Sequence, residues 1–115
     1  MKKFWQKRKV FISGINGFVG ANLAKFLIAK GASVFGLIRN NNPYSFLYFE
    51  KINKKATLIH GDITDLNLLK RILVEEKIEH VFHLAAQVEI GKAIEYPYLT
   101  WESNIRGTYT LLEAV

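Results

Sequence analysis

Three glycines at intervals of three residues, Gly14, Gly17 and Gly20, form the stretch of this sequence best suited to bind a charged ligand. An apolar run at residues 10–12 precedes them, and apolar residues at helical spacing follow. A strand, a glycine-rich turn and a helix in that order bring backbone N–H groups and the positive end of a helix dipole together, where a pyrophosphate binds. The spacing G-x-x-G-x-x-G differs from the common G-x-G-x-x-G fingerprint. Its place between a strand and a helix favours a dinucleotide site over a plain turn.

Each glycine of this turn has a separate expected role. Gly14 allows a tight exit from the strand, and Gly17 lets the backbone approach phosphate oxygens. Gly20 lets the following helix lie close to the sheet. We expect a branched side chain at Gly17 to strain the turn and to block the phosphates.

Two charged residues follow later predicted strands and are candidates for the rest of the ligand. Arg39 stands at the end of the second strand, where an NAD-binding fold usually carries Asp or Glu, and the next carboxylate along the chain is Glu50. A guanidinium there can pair with a 2′-phosphate, which favours NADP over NAD; the alternative is a solvated residue at a strand end. Asp62 follows the third strand, and its local pattern favours a turn residue over an acceptor for the adenine amino group.

The elements that must position these residues alternate along the chain. Apolar runs predict strands at residues 9–13, 33–38, 57–60 and 79–84, and helical spacing predicts helices at 19–30, 66–76 and 96–115. Thr64 or Asp65 is expected to cap the second helix. Strands that alternate with helices predict an α/β fold with a parallel sheet.

Composition narrows the function classes. The 115 residues suit one domain, and half of them are hydrophobic. None of them is cysteine, so disulfides, thiolate zinc sites and a cysteine nucleophile are excluded. The absence of cysteine also fits a cytoplasmic protein. No apolar run approaches the length of a membrane span. The net charge is +6, and we interpret the basic cluster at residues 2–9 as a solvated tail rather than a nucleic-acid contact. His60, His80 and His83 lie within or at the ends of predicted strands without ligand spacing, so no metal site is expected.

Four motifs can be compared together with known families. They are residues 13–20, 61–65 (Gly-Asp-Ile-Thr-Asp), 83–87 (His-Leu-Ala-Ala-Gln), and 104–108 (Asn-Ile-Arg-Gly-Thr) with 111–114 (Leu-Leu-Glu-Ala). In this order they resemble the extended short-chain dehydrogenase/reductases, and among these the nucleotide-sugar 4,6-dehydratases and epimerases. Residues 36–39 (Gly-Leu-Ile-Arg) are similar to the GDP-mannose type. The resemblance implies a Rossmann-type parallel sheet of order 3-2-1-4, with helices on both faces, that is incomplete relative to the family.

The resemblance also implies a role for each residue of the cofactor site. The backbone of Asn16, Gly17, Phe18 and Val19 would meet the pyrophosphate of NADP or NAD. Asp62 would bind the adenine amino group, Ile63 would contact the adenine through its backbone, and Arg39 stands where NADP-using members carry a basic residue. The remaining assignments are Leu84, Ala85 and Ala86 beside the nicotinamide ribose and Asn104 as an anchor of the last helix.

Family members use a tyrosine followed four residues later by a lysine, and no tyrosine of this sequence has that partner. We therefore expect residues 1–115 to form the NAD(P)-binding N-terminal part of the family fold, without catalytic residues or a sugar-binding part. Whether the chain is an enzyme stays open. One interpretation is the cofactor-binding portion of a nucleotide-sugar epimerase or dehydratase, inactive until the catalytic half is supplied. The other is a non-catalytic dinucleotide-binding module that acts as a sensor or assembly partner. An unpaired fourth strand predicts an oligomer or a partner-dependent chain.

Overall fold

The fold is a four-stranded parallel sheet with helices packed on both faces. The structure is a computed structural model that describes residues 4–39, 54–84 and 105–115. The strands follow the order β3-β2-β1-β4 and each pairs in parallel with its neighbour. The predicted strand order and fold class are therefore confirmed. The elements are β1 (Lys9–Ser13), α1 (Phe18–Ala29), β2 (Ser33–Ile38), β3 (Thr57–His60), α2 (Leu66–Glu75), β4 (His80–His83) and α3 (Gly107–Ala114).

The sequence predicts the bounds of the first three strands correctly and those of the other elements to within one residue where they are described. The fourth strand is one residue shorter at each end than predicted, yet the flanking amides of Glu79 and Leu84 still donate to the carbonyls of Lys9 and Ser13 at 2.9 and 3.1 Å. Gly31 follows α1 with a φ of 90°, a left-handed conformation that ends a helix. The last helix was predicted over residues 96–115; its described part is α3, and residues 96–104 lie outside the described ranges.

Side-chain alternation along the strands builds a core on each face. Val10 and Ile12 of β1 point towards α1, whereas Phe11, between them, packs against α2 and α3. All three are fully buried. A strand buried on both faces must be apolar at consecutive positions, and this is why the apolar run predicted β1 so well.

The segment that precedes β1 is docked on the sheet, which corrects the interpretation of residues 4–8 as a solvated tail. Trp5 packs edge-on against His80, with 5.0 Å between ring centroids, and lies beside Phe82. The Arg8 guanidinium donates to Glu79 at 2.7 Å and lies 4.8 Å from the centre of the Phe4 ring. The Arg8–Glu79 ion pair and the packing of Trp5 on His80 and Phe82 thus hold this basic segment against β4 and the residue before it.

Asp65, one of the two residues predicted as a cap, caps α2 by accepting a hydrogen bond from the Leu68 amide at 3.1 Å. Leu69 and Ile72 are the buried residues of this helix. Among the helices within residues 4–39, 54–84 and 105–115, none is both long and apolar enough to cross a bilayer.

Candidate functional site

The turn between β1 and α1 lies at the carboxyl end of the central strands. Gly14 has a φ of 74°, a left-handed conformation that favours glycine, so the chain can turn sharply where β1 ends. The Gly17 amide then donates to the Gly14 carbonyl at 3.0 Å and closes the turn. Ile15 points inward and is fully buried. Its side chain occupies the space above Gly36 of β2, where an added Cβ would come within 2.5 Å of two Ile15 carbons.

Gly20 and Gly17 face the same carbonyl oxygen at very different distances. A Cβ on Gly20 would lie 2.1 Å from the Gly14 oxygen. Helix α1 therefore packs so close to the turn that this position has no room for a side chain. A Cβ on Gly17 would lie 3.3 Å from that oxygen. The backbone of Gly17 is extended, with a φ of −80°, which any residue adopts. A side chain at Gly17 is therefore penalised by crowding against the Gly14 oxygen and not by the backbone conformation of the residue.

The N-terminus of α1 has the features of an anion-binding site. Its N-cap is Gly17, and no side chain at that position accepts a hydrogen bond from the first turn. Phe18 and Val19 are 75% and 64% exposed, and Asn16 is half-buried. The backbone of the helix start therefore lies at the surface with the positive end of the helix dipole directed outward, an arrangement that attracts phosphate.

Arg39 and Asp62 lie together beyond the ends of β2 and β3. The Arg39 Nε is 3.9 Å from the Asp62 Oδ2, and both side chains are about half exposed. The other carboxylate oxygen, Oδ1, accepts hydrogen bonds from the Thr64 amide at 2.9 Å and the Thr64 hydroxyl at 2.8 Å. These bonds form the turn favoured by the local pattern, while Oδ2 faces the guanidinium.

The electrostatics of this pair favour an ionised carboxylate. The Thr64 backbone hydrogen bond is the largest cause that lowers the pKa of Asp62, opposed by partial burial and assisted by the Thr64 hydroxyl, Arg39 and Arg106. Asp62 therefore stays charged at neutral pH. The next residue, Ile63, is buried against the start of α3, where a Cβ on Gly107 would come within 2.6 Å of it.

Leu84 lies beside the glycine turn through contacts with the last residue of β1. Its amide donates to the Ser13 hydroxyl at 2.9 Å as well as to the Ser13 carbonyl. The Ser13 hydroxyl is in turn 2.7 Å from His83 Nδ1, and His83 Nε2 is 2.8 Å from the Thr108 hydroxyl of α3. Burial lowers the pKa of His83, which favours the neutral ring.

The predicted site residues that are described thus line one edge of the sheet. The strand order places Asp62 and Ile63 after β3, Arg39 after β2, the turn from Gly14 to Gly20 after β1, and Leu84 after β4. The carboxyl ends of parallel strands are where ligands of open α/β sheets bind. Ala85, Ala86 and Asn104 lie outside the described residues.

Sequence reasoning missed two features of this edge. It treated His83 only as a strand residue, although the ring joins β1, β4 and α3, and it gave no role to Ile15. A polar residue at the end of each of two apolar strands, Ser13 and His83, is the signal that could have suggested a buried hydrogen bond between them.

Comparison with known proteins gives a consistent set of relatives. The profile of the family described as GDP-mannose 4,6 dehydratase matches residues 11–115. The GDP-mannose 4,6-dehydratase of Vibrio cholerae is 36% identical over 116 residues, which cover 95% of this chain and 31% of that protein. The CDP-glucose 4,6-dehydratase of Salmonella typhimurium is 36% identical over 115 residues, which cover 99% of this chain and 32% of that protein.

A solved structure shows the same fold. It is a UDP-glucose 4-epimerase from Stenotrophomonas maltophila with bound NAD and formylated UDP-arabinopyranose. It superposes with a TM-score of 0.82 at 25% identity, over 93% of this chain and 33% of that one. The chain therefore spans about a third of the length of the relatives it matches.

Proposed function

The chain belongs to the GDP-mannose 4,6-dehydratase family, as the resemblance predicted, and from this premise we propose that it binds a nicotinamide dinucleotide along the carboxyl edge of its sheet. The observation that carries the proposal is the turn from β1 to α1. There the chain reverses at Gly14, and the exposed start of a helix follows a glycine N-cap.

The residues of this edge fit the dinucleotide chemically. Phosphate oxygens accept hydrogen bonds from backbone amides, and the backbone of Asn16, Gly17, Phe18 and Val19 would hold them. The absence of a side chain at Gly20 lets the helix start lie close to the end of β1, so that strand and helix can face one ligand. The net charge of +6 favours a ligand rich in phosphate.

Asp62 and Arg39 would hold the adenosine end. With Oδ1 fixed by Thr64, the second carboxylate oxygen of Asp62 remains as an acceptor for the adenine amino group, and the backbone of Ile63 would lie beside the ring. Arg39 is held near Asp62 at 3.9 Å, a weak contact that a 2′-phosphate with its greater charge would outcompete. We therefore propose that NADP is preferred over NAD.

The proposed reaction of the whole protein is that of a nucleotide-sugar dehydratase or epimerase. When bound, the nicotinamide accepts a hydride from the sugar and can return it. Leu84, Ala85 and Ala86 would lie beside the nicotinamide ribose, and Asn104 would anchor the last helix near it. Since these 115 residues hold no tyrosine with a lysine four positions later, we expect them to bind the cofactor without turning over a nucleotide sugar on their own.

Titration of purified protein with NADPH and with NADH, followed by nicotinamide fluorescence, tests this function. We expect saturable binding that Gly17→Val removes, because the branched side chain would stand where phosphates approach the backbone. Val74→Ala is the control, since Val74 is 75% exposed on α2, away from the turn, and should bind as the parent does. Equal affinity of the parent and Gly17→Val would refute the phosphate-binding role of the turn. Dehydratase activity of the 115 residues alone would refute the absence of turnover.

A further inference from the structure

His83 joins three elements at the edge where the dinucleotide is proposed to bind. Its ring lies between the Ser13 hydroxyl, 2.7 Å from Nδ1, and the Thr108 hydroxyl, 2.8 Å from Nε2. Ser13 also accepts from the Leu84 amide at 2.9 Å. A continuous hydrogen-bonded line therefore runs from the residue after β4, through the last residues of β1 and β4, to the first turn of α3.

The line is closed by either neutral tautomer of the ring. One ring nitrogen then donates and the other accepts, and the two flanking hydroxyls can each take the complementary role. Ser13 is fully buried, so its hydroxyl needs such a partner. Removing the ring would leave a buried hydroxyl without this contact, a loss larger than that of an exposed hydrogen bond.

The position of this line gives it a functional consequence. Ser13 directly precedes Gly14, the first residue of the phosphate turn, and Leu84 begins the segment proposed to meet the nicotinamide ribose. In the described part of the sheet, β4 pairs with β1 alone, so its carboxyl end is held from one side only. The hydrogen bond between His83 and Thr108 tethers this end of β4 to α3 as well. Ligand sites need such support because small displacements of a binding group weaken the contact.

We infer that His83 is a positioning residue of the dinucleotide site, which fixes Leu84 and the start of α3 relative to the turn from Gly14 to Gly20. This inference rests on the proposed function, since it assigns a role within the same site. It concerns distances between groups that bind the ligand and gives His83 no contact with the ligand itself.

Three substitutions of His83 test its two hydrogen bonds, to Ser13 and to Thr108, separately. His83→Asn keeps a polar atom near Nδ1, His83→Gln keeps one near Nε2, and His83→Phe keeps a planar ring without either contact. We expect His83→Phe to weaken NADPH binding at least about tenfold, and the two amide variants to retain part of the affinity. His80→Gln is the matched control, because His80 lies on the same strand at the opposite end, against Phe4 and Trp5. It should bind NADPH as the parent does.

Amide chemical shifts supply a readout that does not require binding. In His83→Phe, the amides of Gly17 and Leu84 should both shift relative to the parent, whereas His80→Gln should leave them in place. Perturbation that reaches Leu84 but not Gly17 would overturn the inference. So would parental NADPH affinity in a folded His83→Phe protein. If the parent binds no dinucleotide, the proposed function fails, and the shifts alone then decide whether His83 positions the turn. If His83→Phe does not fold, Thr108→Val replaces it, with the same expected shifts.

Discussion

A methyl group added at Gly20 tests how closely α1 packs against the turn before it. An ideal Cβ at this position lies 2.1 Å from the Gly14 carbonyl oxygen, 2.9 Å from the Gly14 carbonyl carbon and 3.0 Å from the Ile15 Cα. All three neighbours are backbone atoms, so none can rotate away as the end of a side chain would. Either α1 or the turn must move by at least about 1.3 Å to reach ordinary van der Waals separation.

The expected cost follows from two opposing effects. Alanine is favoured over glycine within a helix by up to about 1 kcal/mol. Crowding in a well-packed region costs about 1–3 kcal/mol, and we take the upper end because the backbone itself must shift. Gly20→Ala should therefore lower the free energy of unfolding by about 2 kcal/mol. It should also weaken dinucleotide binding, because the helix start is displaced.

Gly17→Ala is the matched comparison, since its Cβ would face the same carbonyl oxygen at 3.3 Å with an extended backbone. We expect this variant to lose less than about 0.5 kcal/mol of stability, as is usual for substitutions that cause no serious clash. It should still weaken binding, because the methyl group stands at the proposed phosphate contact. Urea unfolding followed by circular dichroism measures the first quantity and NADPH titration the second. A Gly20→Ala protein as stable as the parent would refute the close packing on which the reasoning depends.

Three further predictions concern the charge, the pH response and the assembly of the chain. Arg39→Ala should weaken NADP binding about tenfold, the lower end for a charge-assisted contact because Arg39 is exposed, and leave NAD nearly unchanged; equal loss for both cofactors in calorimetry would contradict this. Because the pKa of His83 lies below its usual 6.5 in the folded state, the unfolded chain binds more protons between the two values. The contribution of His83 to the free energy of unfolding should thus be complete above pH 6.5 and be lost as the pH falls from there to the folded pKa. Urea unfolding of His83→Gln should lack this dependence. The exposed apolar residues Tyr109 and Leu112 of α3 and Ile105 just before it should drive oligomerisation; a monomer across a tenfold concentration range in sedimentation would contradict this.

The architecture could be predicted because each strand has a continuous apolar pattern with a clear end. The run at β1 stops at Ser13-Gly14, and that at β2 stops at Arg39, so the ends of the strands and the residues that follow them are visible in the sequence. Arg39 and Asp62 were singled out for this reason. Their mutual contact was not predicted, since it depends on the Thr64 hydrogen bonds that orient the carboxylate.

Features that depend on contacts between distant segments were missed. The basic residues before β1 suggested a solvated tail, because nothing local indicates that Glu79 will lie within 2.7 Å of Arg8. Local sequence indicates which backbone conformations a segment can adopt. It does not indicate which residues from distant parts of the chain the segment will contact.

Gly36 and Ile15 together restrict the substitutions that this chain can accept. An alanine at position 36 would bring its Cβ to 2.5 Å from both methyl carbons of Ile15, Cδ1 and Cγ2, and to 2.9 Å from the Ile15 Cβ. Trimming Ile15 to alanine in the same molecule would remove the two shortest contacts and leave the third, so the double variant should be impaired less than the sum of the two single ones. Selection on either position is therefore conditional on the other. A mutational path that reaches a larger residue in β2 must first pass through a smaller one in the turn.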